Sequence, residues 1–148
     1  MVELYKSFAD KNYVYFLMKF IDGGDFFQIL RSYNEFNRSQ TQFYIGCIIN
    51  AIEALHSKNI IYRDIKPENA VADREGYLYL VDLGTAKRLT EDKGFKTFTI
   101  IGTPHYMAPE IIQGQGYSFP VDLWSIGVFL YEVVCGYFPF GDEFDDPY

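Results

Sequence analysis

Only two cysteines, two histidines and one tryptophan occur in the 148 residues, and neither His nor Cys positions fall at metal-ligand spacing. With no C-x-x-C pair and no Cys/His cluster, a zinc-type site is not expected. Cys47 and Cys135 lie in apolar, helix-like stretches and are expected to be buried free thiols in a reducing compartment, not a disulfide. Positive charge is scarce as well: 13 Lys and Arg stand against 20 Asp and Glu, a net charge of −7. That balance excludes the basic footprint of a nucleic-acid binder and offers nothing to an anionic membrane surface. An acidic surface instead favours cationic partners such as a basic peptide. Apolar runs stop well short of the ~18 residues that would cross a bilayer. Residues 1–10 show no basic segment followed by an apolar one, so no signal peptide is expected and a cytoplasmic location is. Internal repeats and low-complexity tracts are also lacking.

Apolar material is plentiful. Hydrophobic residues make up 49% of the chain and aromatic residues 19%, with 13 Tyr and 14 Phe, enough for a well-packed core. Residues 2–8 alternate apolar and polar, as a half-buried strand would, and the aromatic run 13–20 reads as its antiparallel partner across a turn at Asp10-Lys11-Asn12. Asp25 is placed to cap a short helix reaching about Tyr33. Ser39 is the expected N-cap of a long helix over 40–57, where Phe43, Tyr44, Cys47, Ile48, Ala51, Ile52 and Leu55 form one apolar stripe. Short apolar runs at 60–61, 70–72 and 77–81 read as small strands around a loop. Residues 89–99, polar and without periodicity, are expected to be exposed and mobile. A helix over 122–135 is apolar nearly all round and belongs inside a core, and the acidic stretch 142–146 reads as a loose tail.

The chemistry concentrates in Tyr62-Arg63-Asp64-Ile65-Lys66-Pro67-Glu68-Asn69. An Asp five residues before an Asn, on a proline-stiffened loop, can aim both side chains into one cleft. Val81-Asp82-Leu83-Gly84 follows, a carboxylate at a strand end before a glycine turn. Then comes Gly102-Thr103-Pro104-His105-Tyr106-Met107-Ala108-Pro109-Glu110. These segments, in this order, resemble the signature of the protein kinases. The resemblance runs from Leu4 to about Asp142, and four ordered motifs (Gly-Thr-Pro and Ala-Pro-Glu both lying in the last segment) make it specific where a lone Arg-Asp or Asp-Leu-Gly would not.

The resemblance implies an α+β protein-kinase-like fold and an ATP- and Mg²⁺-dependent transfer of a phosphoryl group to Ser or Thr. Asp64 would accept the substrate hydroxyl proton, Lys66 would neutralise the γ-phosphate, and Asn69 and Asp82 would hold Mg²⁺. Thr103 would bond to Asp64 and Lys66, a Ser/Thr-kinase feature. Thr99 matches the activating phosphosite, with Arg63, assisted by Lys87, as the partner of a phosphate there. Asp122 would cap the catalytic-loop backbone, and Glu110, of the Ala-Pro-Glu motif, is a structural residue. Met18 matches the residue at the back of the adenine pocket, Lys19 to Ile21 the hinge strand, and Val71 the apolar floor, with Ala70 and Ala72 leaving that floor loosely packed. Leu4, Tyr62 and Leu83, the last in place of the usual Phe, would stack in an internal apolar column.

Tyr62, Gly102-Thr103-Pro104 and Gly23-Gly24-Asp25-Phe26-Phe27 are similar to the basophilic AGC group, above all the cyclic-nucleotide-dependent kinases. His105-Tyr106-Met107 is most similar to cGMP-dependent kinases of protists, with the cAMP-dependent kinases as the neighbouring choice. In that group, carboxylates matching Asp25, Glu68 and Glu132 bind arginines upstream of the phosphoacceptor, so basic protein or peptide substrates are implied. The alternative is that each is an ordinary solvated acid. The family also has a Gly-rich loop, a lysine strand and last C-terminal helices that these residues do not supply, and a cyclic-nucleotide-binding region would lie outside this chain. The expected organisation is a partial kinase domain over 1–148, with an N-lobe hairpin at 1–20, a hinge at 21–24 and part of the C-lobe at 25–148. A catalytically inactive fragment or kinase-like scaffold is the competing expectation.

Overall fold

In the computed structural model, which describes residues 1–33 and 36–141, strands β1 (Leu4–Ala9) and β2 (Val14–Met18) form the antiparallel hairpin that the alternation predicts. Asp10 closes its turn: Oδ1 accepts the N–H groups of Asn12 and Tyr13 at 2.7 and 2.8 Å. The strands are not half-buried, however. Every residue of both is exposed, because the ribbon has no second layer against either face among the described residues.

The remainder packs around two long helices, giving an α+β architecture. Asp25 ends the short strand β3 (Gly24–Asp25) and caps α1 (Phe26–Ser32), its Oδ1 accepting the Phe27 N–H at 2.8 Å. Helix α2 (Arg38–His56) starts earlier than expected: Asn37, not Ser39, is the N-cap, with a reciprocal capping box to Gln40. Both frames offer a polar cap followed three residues on by Gln, so local sequence is degenerate. Phe36 breaks the tie, packing on Phe26 and Tyr44 at ring separations of 6.0 and 5.3 Å and fixing the entry of the chain.

Strands β5 (Ala70–Ala72) and β6 (Leu78–Leu80) join β3 in a three-stranded sheet of order β3-β5-β6. The main chain at Gly23 passes so close to this sheet that a Cβ there would lie 2.3 Å from the Asp73 carbonyl, which only glycine permits. Ala70 and Ala72 are buried in the core, at 0% and 4% exposure. A second pair, β4 (Ile60–Ile61) with β7 (Lys87–Arg88), flanks the loop between them.

The stretch 89–99 is more anchored than its polarity suggests. Leu89 and Thr97 are buried, and Thr97 exchanges both main-chain bonds with Tyr117 at 3.0 and 2.9 Å. After the short α3 (Pro109–Ile112), helix α4 (Pro120–Cys135) runs through the core. Only one face of it is buried, including Val121, Ile126, Phe129 and Val133. Leu123, Leu130 and Val134 are exposed, a correction to the fully enclosed helix expected from its composition. Cys135 shares that outer position and is exposed, and Cys47 is half-buried; both are free. Phe26 stacks on Phe129 at 5.7 Å and ties α1 to α4. Stretch 142–146 lies outside the described residues. Among the described residues, no helix is long and apolar enough to cross a membrane.

Candidate active site

The loop after β4 is held by one buried carboxylate. Asp122, fully buried on α4, accepts the Tyr62 N–H through Oδ2 at 2.9 Å and the Arg63 N–H through Oδ1 at 2.8 Å. His56, at the end of α2, meets the same Oδ2 at 2.7 Å. These bonds hold Arg63 at φ +72°, a left-handed conformation that a non-glycine residue adopts only under restraint. The twist turns the next residue, Asp64, into the cleft.

Four side chains meet there. Asn69, on the 3-10 turn Pro67–Asn69, donates from Nδ2 to the Asp64 carbonyl at 2.9 Å and to Asp64 Oδ2 at 2.8 Å. Lys66 Nζ lies 3.0 Å from Asp64 Oδ2 and donates to Thr103 Oγ1 at 2.7 Å. Thr103 Oγ1 in turn donates to Asp64 Oδ1 at 2.6 Å. Both oxygens of Asp64 are therefore fixed in direction. Gly102 makes the closure possible: at φ +126° it runs so near Arg63 that a Cβ would lie 2.6 Å from the Arg63 carbonyl.

Asp82 sits at φ +34°, exposed, with Oδ1 accepting the Gly84 N–H at 2.7 Å. It lines a cavity of about 490 Å³ together with Met18, Leu4, Leu83 and Val81. Tyr62, the third residue of the anticipated apolar column, is fully buried and donates at 3.3 Å to the carbonyl of Val81, which lines the cavity. Burial, then the charges of Asp64, Asp82 and Asp122, push its phenol well above the usual tyrosine range, so it stays a neutral donor. Val71 pairs with Asp25 and Tyr79 across the sheet; Lys19, whose ammonium lies 5.7 Å from the Tyr79 ring, and Ile21 follow β2 without regular structure.

The other anticipated residues are spread around this centre. Glu68 is exposed on the turn beside Asn69. Asp25 is half-buried, with one oxygen committed to capping α1. Glu132 is buried and accepts a hydrogen bond from the Tyr106 hydroxyl, whose titration burial and that bond push upward. Thr99 is exposed, and Lys87 Nζ donates to Thr97 Oγ1 at 2.9 Å, two residues before it. Arg63 donates through Nε to the Thr85 carbonyl at 2.6 Å and through Nη1 to the Tyr117 hydroxyl at 3.3 Å. Glu110 lies in the first turn of α3, and its carbonyl accepts the Gln115 N–H at 2.9 Å. His56, Thr85, Tyr106 and Tyr117 are the residues that sequence reasoning missed. Their partners lie 18 to 66 residues away, and no local pattern gives them these roles, although Tyr106 falls within a quoted motif.

A protein kinase domain family model matches residues 1–147. The chain is 47% identical over 146 residues to a cGMP-dependent protein kinase of Plasmodium berghei (strain Anka), covering 99% of this chain and 17% of the relative. A cGMP-dependent protein kinase of Toxoplasma gondii is 45% identical over 146 residues, with 99% and 14% covered. Human cGMP-dependent protein kinase 2 is 46% identical over 140 residues, with 95% and 18% covered. The chain thus spans less than a fifth of the length of these curated relatives.

Proposed function

Because this chain belongs to the protein kinase family, we propose that it carries the phosphoryl-transfer centre of a Ser/Thr kinase acting on basic protein substrates. The single observation that carries this reading is the closed set Asp64, Lys66, Asn69 and Thr103, bonded at 2.6 to 3.0 Å.

The family works with ATP and, as a rule, Mg²⁺. ATP supplies the phosphoryl group, and Mg²⁺ neutralises charge on it as it transfers. The donor set suits such a cation. Among the described residues no cluster of three His, Cys, Asp or Glu exists. Mg²⁺ needs less than that, taking one or two protein oxygens and keeping the rest for phosphate and water. Asp82 offers its second oxygen, and Asn69, whose amide nitrogen is committed to Asp64, offers its carbonyl oxygen. Met18, Lys19, Ile21 and Val71 would receive the adenine, the main chain after β2 bonding its edge.

Asp64 takes the proton of the attacking hydroxyl and aims its oxygen. Thr103 and Asn69 hold the carboxylate still while it does so. Lys66 has three N–H donors, of which Asp64 and Thr103 use two, leaving one for an anionic oxygen. Thr99 is the proposed phosphosite, Arg63 and Lys87 the cations that would receive a phosphate there.

Substrate choice follows from charge. Glu68 is exposed on the loop beside the catalytic residues, next to α1 and its cap Asp25, and Glu132 lines a neighbouring cavity. With a net charge of −7 the chain has carboxylates to spare for an arginine side chain. A charge-assisted bond to arginine is worth about 1.5–3 kcal/mol, roughly 10- to 100-fold in kcat/KM. Serine peptides with upstream arginines should therefore be preferred by that factor over alanine-substituted peptides, and Glu68→Ala should erode the preference mainly through KM. Equal kcat/KM for the two peptides in steady-state assays of the wild type would refute the basophilic assignment.

A further inference from the structure

Tyr117 belongs to no motif, yet its hydroxyl bridges Thr99, in the activation segment 99–103, and Arg63 of the catalytic loop. The residue is 3% exposed. Its ring packs with Ile61, Leu89, Met107, Ala108, Ile111 and Val121. Its hydroxyl donates to the Thr99 carbonyl at 2.5 Å and accepts from Arg63 Nη1 at 3.3 Å. Its main chain exchanges both bonds with Thr97.

These contacts close a circuit. Arg63 is the residue before Asp64, and Thr99 lies four residues before Thr103, which bonds to Asp64. The segment 99–103 is consequently held at both ends, by Tyr117 at Thr99 and by Asp64 at Thr103, with Gly102 seated against the Arg63 carbonyl between them. Each of these bonds joins protein groups directly. The Thr99 side chain is left exposed, and the tie is made to its main chain instead. Arg63 keeps further donors of its five, after Nε bonds to Thr85 and Nη1 to Tyr117.

We infer that Tyr117 is a positioning residue whose hydroxyl latches the activation segment to Arg63 without any phosphate on Thr99, so that the site keeps basal, unphosphorylated activity. The inference rests on the kinase reading for its activity arm and on geometry alone for its structural arm. A phosphate on Thr99 would bring its own bonds to the remaining Arg63 donors, and the latch would then be redundant. If Tyr117 were only a core residue, its hydroxyl would matter equally in both states.

Tyr117→Phe keeps the ring and its packing while deleting the hydroxyl. In full protein carrying Thr99→Ala, the latch predicts a roughly tenfold fall in kcat on adding Tyr117→Phe, the size of one lost hydrogen bond. In protein phosphorylated at Thr99 the same change should cost less than twofold. Amide hydrogen exchange, read without ATP or substrate, should quicken about tenfold at positions 97 and 117, whose amides bond each other's carbonyls beside the latch, in the unphosphorylated variant, while α4 amides stay as in the wild type. Equal kcat losses in the two phosphorylation states, or unchanged exchange at positions 97 and 117, would overturn the latch. Because exchange needs no turnover, it decides the latch even if the kinase reading fails.

Discussion

Asp64→Ala should lower kcat for phosphate transfer by about 10²–10⁴, the usual worth of a positioned general base, and leave the fold in place. The asymmetry comes from where the carboxylate sits. Its side chain is 11% exposed and faces the cleft, so water can replace it for Asn69 and Lys66, whose own side chain is 21% exposed. Catalytically nothing replaces it: Lys66 has no acceptor, the Asn69 nitrogen is a donor, and the Thr103 hydroxyl is too weak a base. Loss of the carboxylate also frees Thr103 and Lys66, which its two oxygens orient. The checks are steady-state kcat on a serine peptide and a thermal melt. Retention of more than a tenth of wild-type kcat would remove Asp64 from its assigned role.

Asp122→Ala should do the reverse and strike stability first. The residue is fully buried and satisfies two main-chain N–H groups while pairing with His56. Alanine leaves those donors buried without an acceptor, at about 1–3 kcal/mol each, for a total of about 3–5 kcal/mol, as for other broken buried pairs. That is a large share of the 5–15 kcal/mol by which domains are usually stable. Arg63 would also lose the bond restraining it at φ +72° and relax, moving Asp64 with it. Urea denaturation should show the loss, and kcat should fall at least tenfold in whatever remains folded. Asp122→Asn, which keeps one acceptor oxygen, should recover part of both. A loss below about 1 kcal/mol for Asp122→Ala would mean that the loop is held by something else.

How much of this was legible beforehand follows from range. The loop 62–69 is encoded within eight consecutive residues, so Asp64, Lys66 and Asn69 could be read together as candidates, and Asp25 as a helix cap needed only its neighbours. The hairpin came from the alternation at 2–8 and the aromatic run at 13–20, but neither pattern said whether a second layer would cover it. Helix α4 failed for a related reason: composition gives its apolarity, not which face meets α2. The start of α2 was undecidable from Asn37 and Ser39 alone and was settled by Phe36 packing on Phe26. The segment 89–99 looked loose because its anchor, Tyr117, lies some 20 residues further on. His56 and Tyr106 were opaque because a buried carboxylate chooses its partner through tertiary structure, not through spacing.

The central claim is that these residues carry a Ser/Thr phosphoryl-transfer centre, and the most direct test is transfer of label from γ-labelled ATP. The protein would be incubated with Mg²⁺ and an arginine-containing peptide bearing either serine or tyrosine as the only acceptor. Time-dependent label on the serine peptide, abolished by chelating the metal and missing from the tyrosine peptide, is the expected result. Label on the serine peptide no greater than in an Asp64→Ala control would contradict it.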